Sequence, residues 1–340
     1  MYIVIIRKQV IKMRKKAGIN GFGRFGLHIT KYWLDRSDES TFSIGYINDD
    51  TLTIEQSIEI LKKDTTVIFN KYKIKKIENK IRFLKPNGVI DEIEYSNEEK
   101  NHIPWLGKPD LFFECSGKNT VKKDCLRFLK GKTKVVIISA TSWNADKTFL
   151  YGFNNKEYKT KYKIISYGSC TVNAFVPLGA FMDKAYGIID ADVNVVHNIQ
   201  EHRLERNNTL NRKFCTLEKS GPQLLKCLNK KNFKVNYTVV PYTGVSIIDF
   251  RFRLKKCPST SRFITTLEEA MQGDGLLKGL YNMHQDDRGP EVHNCTPFSA
   301  VFIKENLKII NDQAYIFAYF DNENSANRYY DLANYIANEL

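Results

Sequence analysis

The sequence predicts an α/β fold with a parallel sheet in its first half and an α+β arrangement with a mostly antiparallel sheet in its second half. Three observations predict this division. The first half alternates short apolar strands with helical segments, and a glycine-rich turn follows its first strand. The second half has longer strands separated by few helices, which is typical of an antiparallel sheet covered by helices on one face. Between the halves, a cysteine stands where a strand leads into a helix.

The composition is that of a globular protein with room for two cores. The chain has 340 residues, of which 42% are hydrophobic. Its mean hydropathy of -0.39 and its lack of a long apolar run argue against a membrane span. Seven cysteines without a C-x-x-C pair indicate reduced thiols of a cytoplasmic protein and no metal site. The net charge of +14 comes from lysines spread over turns and helix faces, which favours attraction of anionic substrates or cofactors over nucleic-acid binding.

The first strand ends in a turn with the pattern G-x-G-x-x-G. Gly21, Gly23 and Gly26 precede a helix predicted over residues 27–34, and such glycines allow the backbone and the helix N-terminus to approach a pyrophosphate. Asp49 ends the next strand, where its carboxylate would accept hydrogen bonds from an adenine ribose and repel a 2′-phosphate. The pattern predicts a Rossmann-type domain that binds NAD rather than NADP. The alternatives are glycines that only form a turn and an aspartate that is a plain surface residue.

Two further strands of the first half end in small residues. Strands predicted over residues 109–113 and 134–138 are followed by Ser116, Gly117 and Ser139. In a parallel sheet the carboxyl ends of the strands form the ligand-binding edge. We therefore expect these residues to lie against the cofactor.

The remaining segments complete the predicted fold. A helix is predicted over residues 121–129, and residues 69–95 are predicted to be short antiparallel strands inserted into the nucleotide-binding domain. In the second half, strands are predicted over residues 188–196, 237–240, 245–254, 300–303 and 315–319, and helices over 217–228 and 261–272. The last helix, over residues 325–340, carries Leu332, Ile336 and Leu340 on one face and is expected to pack on the first domain.

Cys170 is the candidate nucleophile. It follows a β-prone run over residues 162–166 and precedes helical spacing over residues 175–186. Backbone N–H groups and the helix dipole at such a place lower the pKa of a thiol from its free value of about 8.5. The next predicted strand leads to His197, so a nucleophile and a base would stand at neighbouring strand ends. The alternatives are a buried structural thiol and a hydrogen-bonded structural histidine.

Eight short patches, taken in order, make the chain similar to the glyceraldehyde-3-phosphate dehydrogenase family along nearly its whole length. They are residues 19–26, residues 47–49, residues 114–117, residues 169–171 with Asn173, residues 196–197, residues 220–221, residues 240–241 with 245–246 and Asp249, and residues 321–323 with 327–328. No single patch is specific, but their order and spacing are.

The resemblance implies a mechanism and a set of site residues. It implies that the Cys170 thiolate attacks an aldehyde, that His197 acts as base during hydride transfer to NAD, and that inorganic phosphate cleaves the thioester to an acyl phosphate. The implied cofactor residues are Asn20, Gly21, Gly23, Arg24, Phe25, Gly26, Asp49, Ser116, Gly117, Ser139 and Asn322, the last holding the nicotinamide carboxamide. The implied phosphate residues are Ser169, Thr171, Ser220 and Gly221. Ser220 and Gly221 fit a helix N-cap equally well, since Pro222 and a helical run follow.

Several departures from the family concern the phosphate site. Val239 stands where the family has an arginine that grips phosphate, and an apolar side chain cannot form that bidentate contact. Gln200 replaces a threonine, and the loop between His197 and Ser220 is several residues shorter than in relatives, where it reaches a neighbouring subunit. The basic residues of this loop that could replace the missing charge are Arg203, Arg206, Arg212 and Lys213.

Three functions fit the sequence. The first is an NAD-dependent phosphorylating dehydrogenase of glyceraldehyde 3-phosphate, the second a paralogue that acts on another small aldehyde or acyl group, and the third a catalytically silent scaffold. The expected organisation is an N-terminal extension over residues 1–12, an NAD-binding domain over 13–168 completed by a helix over 322–340, and a catalytic domain over 169–321. A cytoplasmic homo-oligomer, either tetramer or dimer, is expected, with no nucleic-acid or membrane partner.

Overall fold

The computed structural model describes residues 14–199, 210–242 and 244–340, with side chains at all of these positions except 322–324. The extension predicted over residues 1–12 lies outside this part of the chain. Two sheets organise the described residues, and the first is mainly parallel while the second is mainly antiparallel. The predicted fold class is confirmed.

The first sheet has nine strands in the order β3-β4-β5-β2-β1-β6-β7-β9-β8. Its pairs are parallel except β3 with β4 and β4 with β5. The strands are β1 Lys15–Asn20, β2 Phe42–Asn48, β3 Lys73–Ile77, β4 Lys80–Leu84, β5 Ile90–Ser96, β6 Leu111–Glu114, β7 Val135–Ile138, β8 Lys147–Thr148 and β9 Ile164–Ser166. The helices of this half are α1 Arg24–Asp35, α2 Ile54–Lys63 and α3 Lys122–Cys125.

The second sheet runs in the order β11-β12-β10-β13-β17-β15-β14, with β16 paired to β17. Only β10 with β12 and β14 with β15 pair in parallel among the described strands. The strands are β10 Ile188–His197, β11 Asn211–Arg212, β12 Phe233–Val239, β13 Ser246–Leu254, β14 Tyr281–His284, β15 Ala300–Ile303, β16 Lys308–Ile310 and β17 Gln313–Phe320. The helices are α4 Cys170–Tyr186, α5 Leu217–Leu224, α6 Thr260–Met271 and α7 Asn322–Glu339.

The short antiparallel strands predicted over residues 69–95 are present as β3, β4 and β5, and they extend the first sheet because β5 also pairs in parallel with β2. One prediction for the first half was wrong. The helix predicted over residues 121–129 is the single turn α3 followed by a 3₁₀ turn. Val121 gives this helix no side-chain cap, and the chain turns at Gly131 with φ +50°, so the apolar spacing does not extend into a longer helix.

Helix α7 packs on α1, as predicted, and contributes to the core of the first sheet. Tyr329 and Ile336 are buried in that core, and the Tyr329 hydroxyl donates to the Ile137 carbonyl at 2.7 Å. A second apolar cluster lies under the second sheet and includes most of α4. The division into domains over residues 13–168 with 322–340, and over 169–321, stays a prediction. None of the described helices is both long and apolar enough to cross a bilayer.

Candidate active site

The turn between β9 and α4 places Cys170 at the start of a helix. Gly168 turns the chain with φ +87°, a conformation that glycine adopts without strain. Ser169 is the N-cap of α4, and its hydroxyl accepts a hydrogen bond from the Val172 N–H. Cys170 is then the first helical residue and is 7% exposed. Asn173 holds the turn by donating from Nδ2 to the carbonyls of Tyr167 and Ser169, both at 3.0 Å.

His197 stands beside this cysteine at the end of β10. Its Nε2 lies 3.5 Å from the Cys170 Sγ, and its Nδ1 lies 2.8 Å from the Asn198 carbonyl oxygen. A carbonyl oxygen only accepts, so Nδ1 carries the proton and Nε2 presents a lone pair to the sulfur. Burial lowers the pKa of His197 below 6.5, while the bond to Asn198 acts in the opposite direction. The neutral imidazole is therefore the resting form at neutral pH.

Aromatic rings from two strands surround the imidazole. The ring centroid of Tyr237, on β12, lies 5.4 Å from that of His197, and Phe320, on β17, approaches edge-on at 5.7 Å. These rings exclude water from the base and fix its orientation. The pair thus has the geometry of a nucleophile with an adjacent base.

Three hydroxyl groups lie together next to Cys170. The Ser169 Oγ lies 3.1 Å from the Thr171 Oγ1 and 2.9 Å from the Thr216 Oγ1, while the Cys215 thiol donates to the Thr171 Oγ1 at 3.5 Å. Thr216 was not predicted, although a threonine just before a helix is a recognised start signal. Its hydroxyl caps no N–H of α5 and instead contacts Ser169.

Ser220 and Gly221 do not cap a helix, which corrects the alternative drawn from the sequence. Both lie inside α5, and Pro222 is accommodated within this short helix, which ends soon afterwards at Leu224 rather than at residue 228 as predicted. Ser220 is buried. A Cβ at Gly221 would lie 2.8 Å from the Phe233 ring, so this glycine is needed for packing.

A cleft of about 360 Å³ joins the start of α1 to the start of α4. It brings together the predicted residues Arg24, Phe25, Ser139, Ser169 and Cys170. The lining residues that were not predicted are His28, Ala140, Thr141, Tyr167 and Thr216. Within the described part of the chain, no group of three or more His, Cys, Asp or Glu side chains could hold a metal ion.

The three glycines of the first turn have different surroundings. Gly21 has φ +95°, and a Cβ there would lie 2.4 Å from the Ser116 backbone. A Cβ at Gly26 would lie 2.4 Å from the Gly21 carbonyl oxygen. Gly23 has nothing within 4 Å of its ideal Cβ position and gives α1 no side-chain cap. The space beside Gly23, at the N-terminus of α1, is therefore open, as a phosphate-binding turn requires.

Asp49 lies beneath this turn and is 7% exposed, so it is not a plain surface residue. Its Oδ2 accepts from the Phe22 N–H at 2.7 Å, and its Oδ1 accepts from the N–H groups of Thr51 and Leu52, both at 2.9 Å. These bonds fill three of about four acceptor positions of a carboxylate. The fourth, on Oδ2, is available to a ligand hydroxyl.

A buried polar network supports the same edge of the sheet. Asn20 donates from Nδ2 to the Glu114 Oε2 at 2.9 Å, and the Ser116 N–H donates to Oε1 at 3.0 Å. Burial raises the pKa of Glu114, against the opposing effect of these hydrogen bonds. The network holds Ser116 and Gly117, which has φ +69°, in the turn after β6.

Comparison with known proteins shows which proteins this chain is similar to. No family model matches the chain. The chain is 28% identical over 342 residues to cytosolic glyceraldehyde-3-phosphate dehydrogenase of Pisum sativum, covering 96% of this chain and 98% of the relative. It is 29% identical over 287 residues to the cytosolic protein of the same name from Dianthus caryophyllus, covering 80% and 82% of the two chains. The chain resembles a divergent member of the glyceraldehyde-3-phosphate dehydrogenase family.

The place of the family's phosphate-binding arginine is apolar in this structure. Val239 is buried and pairs in register with His197 on the neighbouring strand. Arg212 was a candidate replacement, but it pairs in register with Thr238 and its Nη2 donates to the Asn236 Oδ1 at 3.3 Å. Successive residues of a strand face opposite sides, so Arg212 lies on the face away from His197. That prediction for Arg212 was wrong.

The remaining predicted residues differ in how they stand relative to the cleft. Lys213 follows β11 and is exposed. Gln200, Arg203 and Arg206 lie outside the described residues, and so does the side chain of Asn322. Arg24 lines the cleft but forms an ion pair with Asp64.

Proposed function

We propose that this protein is an NAD-dependent phosphorylating aldehyde dehydrogenase that forms a thioester on Cys170. The observation that carries the proposal is the 3.5 Å approach of the His197 Nε2 to the Cys170 Sγ, with the opposite ring nitrogen held by the Asn198 carbonyl. This tautomer can accept the thiol proton and later the hydroxyl proton of a hemithioacetal. The resemblance to glyceraldehyde-3-phosphate dehydrogenases supports the same chemistry.

In this mechanism the protein residues move protons and stabilise charge. His197 takes the proton of Cys170, the thiolate attacks the aldehyde carbon, and His197 returns that proton to the carbonyl oxygen, which gives a thiohemiacetal and leaves His197 neutral. His197 then takes the hydroxyl proton as the C–H bond breaks and the thioester forms. NAD, when bound, supplies the hydride acceptor. Inorganic phosphate attacks the thioester carbon and releases an acyl phosphate, which returns the sulfur to the thiolate form.

The residues around the first turn fit NAD. The open space at Gly23 and the N–H groups of α1 suit a pyrophosphate. The remaining acceptor position on Asp49 suits a ribose hydroxyl, and its negative charge disfavours a 2′-phosphate. We further propose a cytosolic location, as in the cytosolic relative of Pisum sativum, and a homo-oligomeric state. Light scattering of the purified protein would measure the oligomer size.

A second candidate keeps this chemistry and changes the substrate to another small aldehyde. The specific observation that favours it is the apolar Val239 beside His197, with Arg212 on the opposite face. Loss of a charge-assisted hydrogen bond weakens phosphate binding by roughly 1.5–3 kcal/mol. Reduction of NAD by glyceraldehyde 3-phosphate only in the presence of phosphate or arsenate supports the first candidate. Turnover with a different aldehyde alone supports the second.

Replacement of Cys170 tests both candidates against a silent scaffold. Cys170→Ser should abolish NAD reduction and covalent labelling by substrate, because serine has no thiolate to attack the carbonyl, and should leave NAD binding intact. The matched control is Cys257→Ser, which removes an exposed thiol in the loop between β13 and α6. Aldehyde oxidation that survives in Cys170→Ser would overturn the proposed function.

A further inference from the structure

The proposed reaction needs a cation for its phosphate, and among the described residues the position of Val239 supplies none. This inference rests on the proposed function and concerns the same site. Arg24 lines the cleft, but the Asp64 carboxylate already compensates its charge. The hydroxyls of Ser169, Thr171 and Thr216 can donate to an anion, yet they are neutral. A cation close to these hydroxyls is therefore the missing component.

Lys219 lies in the first turn of α5, whose N-cap residue is Thr216. It follows Thr216 by one helical turn, and helical side chains lean toward the N-terminus of their helix, over the preceding turn. The Lys219 side chain thus extends toward the end of α5 that borders the cleft. Thr216 itself lines that cleft together with Cys170.

The Lys219 ammonium contacts an aromatic ring in the segment that follows β7. Its Nζ lies 4.3 Å from the centroid of the Trp143 ring. Trp143 follows the cleft residue Thr141 by two positions and is 43% exposed. A cation over an aromatic face is held in place by the ring quadrupole. The ring is neutral, so this contact orients the ammonium without cancelling its charge.

We propose that Lys219 is the cation of the anion subsite, together with the hydroxyls of Ser169, Thr171 and Thr216. The subsite lies on the α5 side of Cys170, whereas Val239 lies on β12. An ammonium is a compact point charge that binds a phosphate without the bidentate geometry of a guanidinium. The ligand is a phosphate group, either of inorganic phosphate or of a phosphorylated aldehyde.

Alkylation of Cys170 measures the charge at this place without turnover. Iodoacetate is an anion and iodoacetamide is its neutral counterpart, so the ratio of their rates reports positive charge near the sulfur. At low ionic strength, Lys219→Met should lower this ratio about threefold, the effect of one unit charge several ångströms away. Lys226→Met is the matched control, since Lys226 is an exposed lysine beyond the C-terminal end of α5 and does not line the cleft, and it should leave the ratio unchanged.

The outcomes separate the two proposals. An unchanged ratio in Lys219→Met, with Cys170 alkylated at the wild-type iodoacetamide rate, overturns the role of Lys219 alone. A wild-type Cys170 that reacts no faster than the exposed Cys257 overturns the proposed function, and this inference with it. Lys219→Arg should keep the ratio, because it keeps the charge.

Steady-state kinetics distinguish the source of the phosphate. If Lys219 binds inorganic phosphate, Lys219→Met should raise the KM for phosphate about tenfold and leave the KM for the aldehyde unchanged. If it binds the substrate's phosphate, kcat/KM should fall about tenfold for glyceraldehyde 3-phosphate and stay constant for glyceraldehyde. Either pattern supports the subsite. Wild-type values for all these constants would overturn it.

Discussion

At the scale of single residues, the orientation of His197 decides the chemistry. The Asn198 carbonyl fixes the proton on Nδ1, so the nitrogen that faces Cys170 is a base. Burial lowers the pKa of this imidazole below 6.5, which favours its unprotonated form at neutral pH. A more basic histidine would hold its proton and would not accept one from the thiol.

Replacement of His197 by asparagine should lower turnover about a hundredfold, because the variant has no group to take the thiol and hydroxyl protons. In the wild type, turnover at pH 6.5 should exceed half of its maximum, since the lowered pKa of His197 leaves the base unprotonated there. The measurement is kcat/KM from pH 5.5 to 8.5. A wild-type profile that has lost most of its activity at pH 6.5 would contradict the assigned protonation state.

Single residues also show which parts of the candidate site could be predicted from sequence patterns. Cys170 and His197 were predicted because each follows an apolar strand, and strand ends are readable from the order of residue types. Thr216 and Lys219 were missed because their place in the site depends on how α5 packs beside α4, a contact between distant parts of the chain. The failure of Arg212 has the same origin, since the face of a strand residue depends on its pairing register.

At the scale of elements, the turn between β1 and α1 contains glycines of two kinds. Two of them are needed for close packing, and Gly23 leaves open space. Gly21 and Gly26 contact backbone atoms so closely that no Cβ fits. Gly23 has an ordinary backbone conformation with φ -75° and an open surrounding. Within one sequence pattern, Gly21 and Gly26 therefore serve folding, and Gly23 leaves room for a ligand.

Two alanine variants should separate these requirements. Gly23→Ala should change the free energy of unfolding by less than about 0.5 kcal/mol and should weaken NAD binding at least tenfold, because the methyl group enters the space proposed for the pyrophosphate. Gly21→Ala should destabilise the fold by about 1–3 kcal/mol from backbone strain alone. Denaturant unfolding and calorimetric titration measure the two effects. Wild-type NAD affinity in Gly23→Ala would place the cofactor elsewhere.

Elements were predicted best where their pattern is long and local. The strand β15 has the predicted bounds, β10 and β13 each differ by one residue at one end, and α6 differs by one residue at both ends. Helix α2 was missed although Thr53 and Gln56 form a capping box, which is a readable start signal. The sequence did not predict that β3, β4 and β5 join the parallel sheet, because this depends on the pairing of β5 with β2, a strand far earlier in the chain.

At the scale of the whole molecule, buried histidine links folding to pH. His28 on α1 is buried, and this burial, together with the charge of Arg24, lowers its pKa from 6.5 to about 3. The unfolded chain then binds a proton in mild acid that the folded chain does not bind. The contribution of His28 to the free energy of unfolding is fully present above pH 6.5, and it decreases as the pH falls toward 3.

The variant His28→Gln should show a smaller dependence of stability on pH. Between pH 7.5 and 5.5 the free energy of unfolding should fall by about 1.4 kcal/mol less than in the wild type, which is the linkage expected for one group over one pH unit below 6.5. Urea unfolding at both pH values gives this difference. His102→Gln, at an exposed position, is the control and should behave as the wild type. Equal slopes for His28→Gln and the wild type would contradict the lowered pKa.

The docking of α7 on the first sheet constrains the order in which this protein can mature. Its side chains complete a core begun by β1 and α1, and Arg36 bonds to Asn327 across 291 positions of the chain. Ribosomes deliver those partners only after α1 has been synthesised. Until they emerge, the nascent first half exposes the apolar surface that α7 later covers. Chaperones that recognise such surfaces would therefore bind a chain stalled before α7 more strongly than the finished protein.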